Sequence, residues 1–554
     1  MIDKIRLCMA QLNPIGGDIE GNMALLLEAY ERAKKNNADI LLAPEMFVSG
    51  YPIDDLVLRP EFIHSTEKAI LKIAKNTKDG GPAIIVGAPR NDNGFLRNSV
   101  FVLDKGEIIG FRDKAKLPNE DEFYDNRQFV PGELPGPISI RGIRIGLPIC
   151  QDLWVDSEVC ECLTESGAEL IFAINGSTYE FNKMEQRLNT VVSRVTENHI
   201  PIIYLNMVGG QDELIFDGGS FAINSNGNLA CQLPMFKSYE TTVDIEKTKK
   251  GWEIISSEMV KDLNGMEALY TAITLSIRDY VSKNGFSNVI LGLSGGVDSA
   301  LVASMSVDAL GSEKVKSFML PTAFTSETSE LDAKEIAERL NISLETIKIQ
   351  NIFDETKGLL LKIFEGQKSG TAEENIQSRL RALLLMAISN KFGSMLLSTS
   401  NKSESAVGYT TLYGDMSGGF SPLKDVWKSD VFALCEWRNK NIPSISKYSM
   451  LDLIPLNIIQ KPPSAELRND QKDTDTLPEY SRLDKILSLS IEKMKSNNEI
   501  VEAGFDKNEV NHVLKLLKNS EYKRFQSPPG PKLGKKAFGR DRMYPLTNKF
   551  YTKI

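Results

Sequence analysis

The stretch Asn288-Val-Ile-Leu-Gly-Leu-Ser-Gly-Gly-Val-Asp-Ser299 constrains this chain more than any other segment. An apolar, β-branched run reads as a buried parallel strand and breaks at Ser294-Gly295-Gly296. From Val297-Asp298-Ser299 the pattern turns helical, through Ala300-Leu-Val-Ala-Ser-Met305. Two glycines let the backbone turn tightly with its N–H groups inward, and the helix start adds partial positive charge. Together they make an anion nest shaped for phosphate. No Gly-Lys-Ser/Thr follows, so this is not a Walker A loop. Asp298 instead sets a carboxylate beside the phosphates, where it can hold a magnesium ion. A lone Gly-Gly would be only a turn; Ser294, Gly295, Gly296, Val297, Asp298 and Ser299 in this order are expected to form a nucleotide site.

Ser-Gly-Gly-x-Asp-Ser after such a strand resembles the pyrophosphatase loop of enzymes that split ATP into AMP and pyrophosphate. Those enzymes use the AMP to activate a carbonyl oxygen for nitrogen or sulfur attack. At 554 residues the chain is too long for one core, so two domains of ordinary size are expected. A net charge of −9 argues against a broad nucleic-acid surface. No run approaches the length of a membrane span, and Ile5-Arg-Leu-Cys-Met-Ala10 is strand-like rather than a signal peptide. The six cysteines show no Cys-x-x-Cys pairing and no disulfide framework, which fits a reducing cytoplasm. His64, His199 and His512 have no ligand spacing for zinc. A cysteine nucleophile here would therefore take a carboxylate or an amine as its base.

The first half alternates strand-like runs (40–43, 83–86, 100–103, 143–147, 170–174, 202–205) with helical patterns at 22–36 and 183–198. This is an α/β layer structure with sheets in the middle and helices outside. The charged segment Asp244–Gly251 breaks the pattern, and a linker is placed at 246–261. A helix at 265–284 then opens a second βαβ array with strands at 289–293, 315–320, 344–349 and 395–398. The polar, Pro-containing stretch 461–478 is expected to be a mobile loop.

Three short segments carry the chemistry of the first half. Leu41-Leu-Ala-Pro-Glu-Met46 places Glu45 after a strand and a proline, and Asp113-Lys-Ala-Lys-Leu-Pro-Asn119 places Lys114 in a loop. Ile145-Gly-Leu-Pro-Ile-Cys-Gln-Asp-Leu-Trp154 places Cys150 at a strand end, where a turn would expose its sulfur. Singly, each has a bland reading: a small core cysteine, a helix-capping glutamate, a solvated lysine. Together, over residues 1–245, they resemble the Glu–Lys–Cys triad of the nitrilase superfamily. Asn175-Gly-Ser-Thr-Tyr and Gly209-Gly-Gln-Asp-Glu-Leu-Ile-Phe-Asp-Gly-Gly219 look like the glutaminase domain of glutamine-dependent NAD synthetases. That resemblance implies an α-β-β-α sandwich in which the Cys150 thiolate attacks the carboxamide of glutamine. Glu45 would take the thiol proton and pass one to departing ammonia, and Lys114 would stabilise thiolate and oxyanion. Glu122 sits where the family often has a second structural glutamate, and Ser177 and Arg187 are candidates for positioning glutamine. Two departures stand out: Gln151 where these glutaminases usually have Glu, and Glu120-Asp121 where Tyr-Gly is common.

Over most of 262–550 the chain looks like the synthetase domain of the same family. Besides the phosphate loop, the resemblance rests on Asn401-Lys-Ser-Glu404, Tyr413-Gly-Asp415 and Lys536-Ala-Phe-Gly-Arg-Asp-Arg542. It implies a doubly wound parallel sheet of the ATP-pyrophosphatase, adenine nucleotide alpha hydrolase-like type. By motif, Asp298 and Glu404 would bind magnesium, and Thr399 and Lys428 would join the loop in contacting ATP or pyrophosphate. Asn375, Arg379, Asp415 and Lys424 would lie near ATP or the dinucleotide. Arg379 and Arg381 near a helix start, and the basic stretch 523–542, also read as plain surface charge or a solvated or nucleic-acid-binding arm.

The expected activity is a two-site amidotransferase acting on L-glutamine, ATP and deamido-NAD⁺ in the cytoplasm, with Mg²⁺ and no nucleic-acid or membrane partner. Free ammonia would be largely protonated at neutral pH, so a shielded passage between the sites is a physical need. The resemblance implies such a tunnel, and a homo-oligomer with dimeric synthetase cores, up to an octamer. Three rivals fit less well. Glutamine-fed GMP or asparagine synthetases pair the loop with a different glutaminase. A tRNA-modifying pyrophosphatase sits poorly with the acidic charge and the missing Cys-x-x-Cys. A non-catalytic scaffold would be expected to lack triad or metal residues.

Overall fold

Alternation along Lys4–Gln11 decides which way each side chain faces. Ile5, Leu7 and Met9 enter one apolar core, and Cys8 and Ala10 enter another on the opposite side of the strand. Both faces are covered, so the strand has no solvent side beyond its ends. The computed structural model describes residues 3–120 and 122–550, residue 120 by its backbone alone. Asp121, one of the departures noted above, lies outside the described residues. The chain divides into two compact units, Met1–Asn264 and Gly265–Ile554.

In the first unit, Lys4–Gln11 lies inside a seven-stranded sheet. It pairs in parallel with Ile40–Leu42 and antiparallel with Tyr239–Thr248. A six-stranded sheet contains Ile143–Gly146, Leu170–Asn175 and Ile202–Asn206 in parallel register. The apolar faces of the two sheets meet in one core, where Leu7, Ile40, Ile85 and Val100 share a cluster with Ile145, Phe172, Ile174 and Leu205. Helices Ile19–Lys35 and Pro60–Asn76 cover the outer face of the first sheet. Glu158–Glu165 and Lys183–Asn198 cover that of the second. This is the four-layer α-β-β-α arrangement expected.

The stretch 246–261 departs from the linker reading. Gly251–Ile254 pairs with the end of Tyr239–Thr248 at the sheet edge, with Trp252 and Ile254 buried. Ser257 and Val260 then hydrogen-bond through their N–H groups to Ala230 and Gln232. The charges that suggested a linker belong to partly exposed positions of these two paired strands, where Glu246, for example, meets Lys4 at 3.1 Å.

The second unit is built on four parallel strands in the spatial order Ser343–Thr346, Val315–Met319, Val289–Gly292, Met395–Leu396. In chain order these are the third, second, first and fourth. The direction of winding therefore reverses between the first and fourth, which opens a crevice at their carboxyl ends. Helices Gln350–Leu360 and Thr371–Phe392 pack on one face through Phe353, Leu380 and Leu385. A separate helical cluster holds Ala406, Leu483, Ile486, Val510, Val513 and Phe538 together.

Candidate active sites

Glu45 follows the strand Ile40–Leu42 and is completely buried. Its space exists because the neighbouring strand presents Gly87, where a Cβ would fall 2.2 Å from the Met46 nitrogen. The carboxylate accepts three bonds of 2.8 Å: from Asn98 Nδ2 and Lys114 Nζ on Oε1, and from the Gly176 N–H on Oε2. Lys114 also donates to Asp125 Oδ2 at 2.9 Å, and Tyr51 donates to Asp125 Oδ1 at 2.8 Å. Burial opposes the ammonium charge, but the carboxylates of Asp125 and Glu45 outweigh it and hold Lys114 protonated well above the ordinary lysine range.

Cys150 precedes the short helix Gln151–Trp154 with φ 43° and ψ −96°, outside the comfortable regions for a side-chain-bearing residue. Such strain costs about 1–3 kcal/mol and is kept where the surroundings enforce it. Here the Cys150 N–H bonds to the Ile174 carbonyl and the Leu153 N–H to the Cys150 carbonyl, both at 3.0 Å. Burial pushes the thiol pKa up, Glu45 adds to that, and Lys114 and the Gly176 N–H pull it down. The resting sulfur is therefore a neutral thiol beside a carboxylate acceptor and a fixed cation. That set can move a proton from sulfur to Glu45 as the sulfur attacks, with Lys114 placed for the charge that develops.

The residues expected around the amide substrate fall differently. Arg187 is wholly buried, paired with Asp217 at 2.7 Å and donating to the carbonyls of Ser177 and Thr178. The Ser177 hydroxyl accepts from Arg187 Nε at 3.2 Å. Both brace the backbone that follows Gly176. Glu122 accepts a hydrogen bond from Thr178 Oγ1 and lies 3.8 Å from Lys183. The second carboxylate on Lys114 is thus Asp125, three residues beyond the position singled out. Asn98, buried and polar within an apolar strand, was equally unmarked.

In the second unit the loop Ser294–Ser299 leaves the first strand of the sheet and Leu397–Glu404 leaves the fourth, the two sides of the switch point. A cavity of about 330 Å³ lies there, lined by Ser294, Gly296, Val297, Asp298, Ser299, Thr399, Glu404, Asp415 and Lys428. Gly295 has φ +77°, and a Cβ on it would meet the Ser329 carbonyl oxygen at 2.3 Å, so only glycine allows this turn. Ser299 Oγ donates to the Gly296 carbonyl at 3.0 Å and closes the loop. Asp298 accepts from Asn401 Nδ2 at 2.8 Å and from Lys428 Nζ at 2.5 Å, and Lys428 also reaches Glu404 at 3.0 Å. Burial raises Glu404 to about 7 against the pull of Lys428.

Asn375, Arg379 and Asp415 gather around residues 411–412. Thr411 donates to Asn375 through its hydroxyl and to Asp415 through its N–H, and Arg379 Nε donates to the Leu412 carbonyl at 3.1 Å. Only Asp415 of these reaches the cavity wall; Lys424 lies apart, beside Gly530. Arg381 does line it, donating to the Leu320 carbonyl at 2.9 Å, with burial lowering it to about 10. The segment 461–478, expected to be mobile, is irregular but anchored. Lys461 bonds to Asp332 and to the Gly295 carbonyl, and Glu466 accepts from Ser326 and Ser329. Residues 461–467 and Asp473 close one side of the cavity. The basic stretch 523–542 is likewise docked: Lys523 donates to the carbonyls of Gly408 and Thr410, Arg524 to that of Ser405, and Arg542 pairs with Glu521.

Among the described residues no group of three or more His, Cys, Asp or Glu is assembled for a metal, and no helix is long and apolar enough to cross a membrane. Asp298 and Glu404, two hard oxygen donors bridged by one ammonium, suit magnesium held jointly with phosphates.

Comparison with known proteins covers both units. The carbon-nitrogen hydrolase family model matches residues 6–250, and the NAD synthase family model matches 269–527. The glutamine-dependent NAD(+) synthetase of Rhodobacter capsulatus is 43% identical over 550 residues, covering 99% of both chains. That of Acinetobacter baylyi is 41% identical over 98% of both. Among solved structures, glutamine-dependent NAD⁺ synthetase from Acinetobacter baumannii, in complex with ADP, aligns with a TM-score of 0.78 and 36% identity, covering 98% of this chain and 99% of that one. Two constellations of different chemistry and full-length kinship agree, and the chain belongs to the glutamine-dependent NAD(+) synthetase family.

Proposed function

We propose that this ligase runs its reaction at the two sites described, with Cys150 as the glutaminase nucleophile and the Ser294–Ser299 loop as the ATP cradle. The observation that carries the reading is the buried, hydrogen-bonded pair Glu45–Lys114 with the Cys150 thiol in its electrostatic field, on one chain with an Asp298-bearing phosphate loop. At the first site the Cys150 sulfur attacks the glutamine carboxamide while Glu45 accepts its proton. The oxyanion faces Lys114, Glu45 returns the proton to departing ammonia, and water then releases glutamate from the thioester.

At the second site the deamido-NAD⁺ carboxylate attacks the α-phosphorus of ATP, and pyrophosphate leaves into the nest. Ammonia then displaces AMP from the acyl-adenylate to give NAD⁺. The Ser294, Gly296 and Ser299 groups orient the phosphates, and Lys428 and Arg381 supply positive charge where it is needed. Asp298 and Glu404 would hold a magnesium ion whose charge offsets that of the leaving pyrophosphate. Asn375, Arg379 and Asp415 would support the dinucleotide end. A homo-oligomer would have apolar side chains to cover in Leu359, Leu361, Ile363, Leu383 and Phe392, which are strongly exposed on and around the helices Gln350–Leu360 and Thr371–Phe392.

The test is isotopic. Deamido-NAD⁺ carrying ¹⁸O in its carboxylate should deliver one ¹⁸O to the AMP formed with each NAD⁺. Unlabelled AMP at full NAD⁺ yield contradicts the adenylate route.

A further inference from the structure

Asp152 is a buried carboxylate that the mechanism above does not use. It stands two residues after Cys150, in the helix Gln151–Trp154, and is 1% exposed. Its Oδ1 accepts the N–H of Ala115 at 3.0 Å and that of Lys116 at 2.7 Å. Its Oδ2 accepts the N–H of Ile149 at 2.9 Å. One side chain therefore holds the two residues that follow Lys114 and the residue that precedes Cys150. The Lys114 loop is also held by the Lys114 N–H on the Asn98 carbonyl, by the Gly132 N–H on the Lys114 carbonyl, and by the partly exposed Lys116 ammonium on Asp156 and Glu158.

We propose that Asp152 is a positioning residue for amide hydrolysis, a carboxylate clamp that fixes the separation of the Cys150 sulfur and the Lys114 ammonium. Three backbone N–H groups converge on a carboxylate as on few neutral side chains, because a carboxylate offers acceptors on both oxygens and no competing donor. The clamp spans the two elements whose relative shift matters. The Lys114 side chain is pinned at its tip by Glu45 and Asp125, and the Cys150 turn is pinned by Ile174. Asp152 joins the main chains that carry the two groups. A displacement of about 1 Å between reacting groups costs on the order of a hundredfold in rate. Glutamine binding need not change, since Asp152 is enclosed by protein and offers the substrate no surface. The inference rests on Cys150 being the nucleophile.

The test uses the full-length protein as Asp152→Asn, Asp152→Ala and, as control, Cys150→Ala. For each, glutamine-driven and ammonium-driven NAD⁺ synthesis are measured, with kcat for glutamine expressed per active site titrated by a chloromethyl ketone analogue of glutamine. Asp152→Asn is expected to lose about tenfold to a hundredfold in glutamine kcat, with KM within about threefold and the ammonium-driven rate unchanged. Asp152→Ala should lose more, because asparagine keeps one acceptor oxygen for Ala115 and Lys116. A merely structural role would lower the number of titrated sites and leave kcat per site at the wild-type value, and that result overturns the proposal. Cys150→Ala retaining glutamine-driven synthesis overturns the nucleophile assignment and the clamp with it. Cys150→Ala inactive with Asp152→Asn at full kcat overturns the clamp alone. If neither Asp152 variant folds, amide exchange in the wild type decides. Residues 115, 116 and 149 exchanging slowly and together supports the clamp, and free-loop exchange at 115–116 overturns it.

Discussion

The ammonium of Lys428 lies 2.5 Å from Asp298 and bridges it to Glu404, so the two carboxylates suited to magnesium share one protein cation. Burial works against that charge, and Asp298 and Glu404 outweigh burial, keeping Lys428 protonated well above the usual lysine range. A divalent ion cannot take the same oxygens while the ammonium stays. ATP phosphates, as competing acceptors, would draw Lys428 aside and bring the remaining ligands.

Metal binding should therefore depend on nucleotide. With Mn²⁺ as a spectroscopic substitute, the wild type is expected to bind at least about tenfold more weakly without ATP than with it, corresponding to about 1.4 kcal/mol. Lys428→Met should bind Mn²⁺ without ATP. Equal nucleotide-free affinity in wild type and variant, read by electron paramagnetic resonance, contradicts this arrangement.

The pH response of Cys150 follows from its surroundings. An ordinary thiol ionises near pH 8.5, and burial beside Glu45 pushes this one above that value. The thiol is therefore expected to stay neutral over pH 6–9, with its proton passing to Glu45 as the sulfur attacks. Alkylation by iodoacetamide should thus stay slow and flat across that range. A rise centred near 8.5 would show a solvated thiol instead.

Glu45→Gln removes the proposed proton acceptor while keeping the shape. Glutamine-driven synthesis is expected to fall about 10²–10⁴-fold, with ammonium-driven synthesis retained. Asp125→Asn leaves Lys114 with Glu45 as its remaining carboxylate partner. Its expected cost is smaller, about tenfold to a hundredfold in glutaminase rate, with a lower unfolding temperature in calorimetry. An Asp125→Asn enzyme more impaired than Glu45→Gln would reverse the assigned roles.

Gly295→Ala forces a Cβ to within 2.3 Å of the Ser329 carbonyl oxygen at a positive φ. AMP formation should fall more than about a hundredfold with either nitrogen source, through loss of the phosphate nest. Wild-type AMP formation in this variant would mean that the loop is not the cradle.

How much of this was legible in the sequence depended on contiguity. The phosphate loop and the triad segments each pair a strand end with a chemically distinctive residue, so the local pattern and the chemistry point the same way. Asp125 and Asn98 were not legible, because their importance comes from Lys114 and Glu45 meeting them across the fold. Arg187 is a candidate for positioning glutamine through the family resemblance alone, and its pairing with Asp217 and two carbonyls inside the fold is invisible to local pattern. The edge strand 251–254 was hidden by its charged neighbours. In 461–478, polar composition suggested freedom, but Lys461 and Glu466 spend their charges on the phosphate-loop side of the fold.

Cys150 and the Ser294–Ser299 loop are proposed to divide the labour, ammonia release at one and activation of the carboxylate at the other. This division is tested most directly by NAD⁺ formation from deamido-NAD⁺ and Mg·ATP, with glutamine or ammonium, in wild type and Cys150→Ala. The expected result is a variant that loses glutamine-driven synthesis and keeps the wild-type ammonium-driven rate. A variant that still uses glutamine, or a wild type that makes NAD⁺ from neither nitrogen source, contradicts the account.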